Sequence, residues 1–103
     1  MRAERLEQLF IERSAGAFSL LLVLESASGS RERVTLSAPG VDELSTVGFL
    51  AGYLRQHGLS LAPKLRVRRR RGGELEDAPE LTARLRGVMK DVRRDTTERG
   101  PWG

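Results

Sequence analysis

Cysteine is absent from this 103-residue chain, and there is a single histidine. The first absence excludes disulfides, thiol chemistry and thiolate-bound zinc, and the second a histidine metal cluster. Aromatic residues are few: three Phe, one Tyr and one Trp. The longest wholly apolar runs, Leu20–Leu24 and Phe49–Ala51, are far too short to span a bilayer. The opening MRAERLEQLF carries glutamates inside its apolar stripe, unlike a signal peptide. No serine stands in a nucleophile-elbow context, and no acid–base constellation assembles along the chain. These absences predict a cytoplasmic non-enzyme with no cofactor, no metal and no membrane partner.

What is present is charge, unevenly placed. The chain has 18 Lys+Arg against 14 Asp+Glu. Six of the basic residues (Lys64, Arg66, Arg68, Arg69, Arg70 and Arg71) fall within one stretch that contains no acid. Outside it, acids outnumber bases, so the net +4 is a local property. Concentrated positive charge of this kind is what a polyanion detects. Two other uses fit the same run. Arginines and lysines guard an exposed sheet edge, and the acids that follow (Glu74, Glu76, Asp77, Glu80) are placed to fold back and neutralise them. No aromatic lies inside the run, which favours backbone and shape readout over base stacking.

The pattern predicts one domain over residues 1–95 and a loose tail over 96–103. Ala3, Leu6, Leu9 and Phe10 recur at three- and four-residue spacing, predicting a short helix over 2–13. Residues 17–25 read as a strand apolar on both faces, and 31–37 as an alternating strand, with SASGS between them as a hairpin loop. Asp42 is a candidate N-cap for a helix buried through Leu44, Val47, Leu50, Ala51 and Leu54, and Gly58 a terminator. Gly48 and Gly52 inside that helix imply close packing or a kink. His57 reads as an exposed structural residue at its end. A strand with Leu65 and Val67 inward follows Pro63 and ends at Gly72–Gly73. Asp77 and Glu80 fit a capping box for a last helix, 78–95, with Leu81, Leu85, Val88, Met89 and Val92 as its stripe. The expected fold is α+β, a three-stranded sheet with helices in the order α-β-β-α-β-α.

The central stretch resembles ribosome-binding factor A, a small bacterial protein with a type II KH-like fold. Thr46-Val47-Gly48 stands where that family has its helix kink, followed by Phe49-Leu50 and Tyr53-Leu54-Arg55. Pro63-Lys64-Leu65-Arg66-Val67 is similar to the family's Pro-x-Leu strand, Leu81–Leu85 to its last amphipathic segment, and Arg2–Leu6 to its first helix. The likeness is densest over 44–85; threonine replaces the usual alanine at the kink, and the connection Ala38–Leu44 is shorter. The resemblance implies binding to rRNA of the small ribosomal subunit during assembly. It also implies a kink at Gly48 that turns backbone N–H groups toward a phosphate.

The expected RNA-binding set is therefore Lys64, Arg66, Arg68, Arg69, Arg70 and Arg71, with Arg55 and the Gly48 backbone nearby. The main alternative is a ubiquitin-like β-grasp protein-interaction module, or an accessory protein of a phage or secretion system, because residues 18–71 also suit the first elements of that fold. A further alternative is a homodimer sealed across the second apolar face of Phe18–Leu24 or through the stripe of the last helix. Trp102 in the terminal Pro101-Trp102-Gly103 is either a docking anchor or part of a loose tail.

Overall fold

A computed structural model of the chain describes residues 3–40 and 42–99, with side chains up to Lys90. The element order is β1 (Ala3–Ser14), β2 (Ala17–Ser26), β3 (Arg31–Pro39), α1 (Glu43–Gln56), β4 (Ser60–Arg71), β5 (Glu74–Asp77) and α2 (Pro79–Arg99). The fold is thus α+β but not KH-like. The order is β-β-β-α-β-β-α, and the sheet has five strands rather than three.

The largest correction falls on residues 2–13, where the expected first helix is strand β1. Its register is irregular between Leu6 and Gln8 against both β2 and β4. A bulge inserts an extra residue and shifts which side chains face inward. Leu6, Leu9 and Ile11 consequently share the buried face. The three-residue step from Leu6 to Leu9 imitates helical spacing, while Phe10 falls on the opposite face. β1 is the middle strand, antiparallel to β2 and parallel to β4 in the sheet order β3-β2-β1-β4-β5.

The second correction falls after Arg71. Gly72 and Gly73 have φ of +59° and +87°, the positive values a two-residue hairpin turn demands at both positions. The chain reverses there, and the acidic residues 74–77 form the edge strand β5. The arginine strand β4 is therefore interior to the sheet, not its edge.

Other elements fall close to their expected places. Asp42 caps α1 by accepting from the Ser45 backbone N–H at 2.9 Å, which holds its carboxyl below the ordinary carboxylate value. The helix ends at Gly58, where Leu59 N–H donates to the Leu54 carbonyl and Gly58 N–H to that of Arg55. That pair of bonds is the Schellman arrangement, and Gly58 has the positive φ, +67°, that it requires. His57 is exposed and its ring lies 4.3 Å from that of Tyr53. α2 runs through Arg99, so residues 96–99 are helical rather than part of a loose tail. Asp77 does not cap α2; its side chain turns to Arg66 and Arg68 on β4. Val92 and the tail residue Trp102 lie outside the described side chains.

Both helices pack on the same face of the sheet. Val47, Leu50, Ala51 and Leu54 of α1 and Leu81 and Leu85 of α2 close over Leu6, Leu9, Ile11, Leu20, Leu22 and Val67. Burying each such leucine or isoleucine contributes about 1.5–3 kcal/mol, so this one layer holds the domain together. Arg86 of α2 donates to the carbonyls of Ala62 and Pro63 at 3.0 and 2.9 Å. It thereby partners the stretch of β4 where pairing with β1 is interrupted. Among the described residues, no helix is long and apolar enough to cross a membrane.

Candidate nucleic-acid interface

With both helices on one side, no described element covers the other face of the sheet, and strand register fixes what it displays. Thr35, Leu21, Phe10, Arg68 and Asp77 stand in one row across all five strands. The next row toward the β1–β2 turn holds Ser37, Ser19, Glu12, Arg70 and Leu75. The row on the other side holds Arg33, Val23, Gln8 and Arg66. Beyond it come Arg31 and Glu25, with Arg5 opposite Glu25. Phe10, Leu21 and Val23 thus form an apolar centre, Leu75 extends it along β5, and arginines flank it on both sides. Much of this surface lines a shallow concavity of about 860 Å³.

The alternation of β4 divides the arginine run between two faces. Arg66, Arg68 and Arg70 stand on the open face, whereas Arg69 pairs in register with Ile11 and Glu76 on the helix side. There Arg69 donates from Nε and Nη2 to the two Glu43 carboxylate oxygens at 2.9 and 3.0 Å, a bidentate contact. It also reaches Glu76 Oε1 at 3.3 Å and Glu80 Oε1. Hydrogen bonding to Glu43, chiefly, raises the Arg69 guanidinium pKa further above its ordinary value. Glu80 is held below the usual carboxylate value, first by its own backbone N–H and then by Arg69.

The open-face arginines are held more loosely. Asp77 is shared by Arg66 at 3.5 Å and Arg68 at 3.6 Å, and its side chain is 68% exposed. Arg70 lies 3.9 Å from Glu12 and also donates to the Gly73 carbonyl at 3.3 Å. Across the sheet, Arg31 meets Glu7 at 3.0 Å, and on β1 Arg5 meets Glu25 at 3.0 Å. Arg33 forms no ion pair among the described residues. Exposed pairs of this kind contribute about 0–1 kcal/mol each, so exchanging Asp77 or Glu12 for a phosphate costs little. Releasing Arg69 from three carboxylates costs more.

The residues expected to act together are therefore not all brought together. Arg66, Arg68 and Arg70 share the open face. Arg69 is committed to the fold, and Arg71 lies 3.6 Å from Glu76 at the end of β4. Lys64 is exposed in the irregular stretch before Arg66. Gly48 and Arg55 sit on α1, on the other side of the sheet. That helix is unbroken from Glu43 to Gln56, and a Cβ added at Gly48 or Gly52 would meet nothing within 4 Å. Neither a kink nor close packing accounts for those glycines. Arg5, Phe10, Arg31 and Arg33 stand on the same open face and are not in the expected set. Arg33 was recognisable as an outward position on an alternating strand, whereas Phe10 was hidden by the apparent helical spacing of β1. No family model, curated protein or solved structure matches the chain.

Proposed function

We propose that this domain binds RNA, without catalysis, through the uncovered face of its sheet. The observation that carries this reading is the gathering there of Arg31 and Arg33 from β3, Arg5 from β1 and Arg66, Arg68 and Arg70 from β4, around an apolar centre. Most of them are tied only by exposed, weak pairs that a phosphate can replace. The rRNA of the small ribosomal subunit, the target implied by the family resemblance, is the first RNA to test. With the KH-like order of elements absent, the fold adds no separate support for that target.

The test is binding of small-subunit rRNA as a function of salt. Four phosphates, one each for Arg33, Arg66, Arg68 and Arg70, give a log–log slope of about −3. Reversing Arg33 and Arg68 to Glu should abolish binding while the circular dichroism spectrum stays that of the parent. Affinity that is absent at low salt, or indifferent to this double reversal, overturns the reading. Arg69 is kept out of the test because its loss damages the fold directly.

A further inference from the structure

We infer that the nucleic acid taken by the open face is single-stranded RNA, with a base stacked on Phe10 and phosphates running along Arg66, Arg68 and Arg70. The inference rests on the RNA reading above and adds the form of the ligand. Its ground is a juxtaposition. Phe10 lies beside Arg68 in the middle row of the sheet, half-buried and on the face that no helix covers. The three arginines stand at alternate positions of one strand, about 6.6 Å apart at each step. That spacing is close to the phosphate-to-phosphate advance of an extended single strand. An aromatic ring next to a cationic track is what sequence-tolerant single-strand binders use.

A duplex fits this face poorly, because its bases are stacked on one another and present no ring to Phe10. A second copy of the chain is also a poor occupant. The face carries Arg5, Arg31, Arg33, Arg66, Arg68 and Arg70 against four carboxylates, Glu7, Glu12, Glu25 and Asp77. Two copies pressed together would double that excess of like charge in one interface. An anionic ligand with flat rings answers both the arginines and the apolar centre, where an acidic peptide answers only the first.

The experiment compares the full chain's affinity for single-stranded oligouridine, for its duplex with oligoadenosine and for polyglutamate, alongside its sedimentation behaviour. The single strand is expected to bind roughly tenfold more tightly than the duplex. Phe10→Ala should lower single-strand affinity by roughly tenfold and leave duplex affinity unchanged. Phe10→Tyr, which keeps the ring, should restore it, separating stacking from any loss of folding. If duplex and single strand bind alike and Phe10→Ala changes neither, this inference falls while the RNA reading stands. If no RNA binds, both fall. Polyglutamate competing as well as the single strand assigns the face to an acidic protein. A dimer that dissociates on Phe10→Arg assigns it to a second copy. Either result overturns the inference.

Discussion

The guanidinium of Arg69 reaches carboxylates on three elements: Glu43 in the first turn of α1, Glu76 on β5 and Glu80 in the first turn of α2. Removing it would leave three acids facing one another with only the more distant Arg71, 3.6 Å from Glu76, as counter-charge. Arg69→Met is therefore expected to lower stability by about 1–3 kcal/mol in urea unfolding, more than the same change at Arg66 or Arg70. Arg69→Lys should recover part of the loss, since an ammonium keeps the charge but cannot make the bidentate contact. Acid should expose the same network. Glu80 titrates below its ordinary value of 4.5 in the folded protein, and Asp42 below 3.8. Carboxyls lowered in this way stabilise the fold above those values and lose their effect as pH falls through the folded ones. The thermal midpoint should accordingly decline below about pH 4.5, with a shallower decline in Glu80→Gln.

Among the elements, α1 carries two residues that work against it. Gly48 and Gly52 lie inside the helix, have no positive φ, and leave open space where a side chain would go. Gly48→Ala and Gly52→Ala should each raise stability by roughly 0.5–1 kcal/mol, measured by chemical unfolding. Binding should be unaffected if the ligand sits on the opposite face. The capped and terminated α1 and the β2–β3 hairpin were legible because each carries its own local signal; α2 begins close to its expected place although the capping box expected of Asp77 does not form. β1 was not. Its bulge turned a two-residue period into a three-residue step, and a strand of this kind is distinguishable from a helix only once its partners are known. β5 was missed for a related reason: Gly72–Gly73 marks the end of a strand and the turn of a hairpin equally well. Without the pairing of β1 with β4, nothing in the sequence assigns the arginines to a face. The run was visible in the sequence, but its division between ligand and fold was not.

At the scale of the molecule, the domain is two layers deep where a closed fold would have three. Its uncovered layer carries two more arginines than carboxylates, so salt should weaken binding more than it weakens folding. The proposed site is correspondingly non-local, with its arginines drawn from β1, β3 and β4. The pairing of β1 with β4 has an effect on how the chain is made. Arg5 lies against Ser60, and Glu12 against Arg70. On a ribosome, the three-stranded meander can form as soon as it emerges, yet the middle strand of the finished sheet must wait with one flank bare until the arginine strand has been synthesised. Such late, long-range closure is slow compared with the hairpins that precede it, and for that interval the nascent chain exposes the unpaired backbone edge of its most central strand.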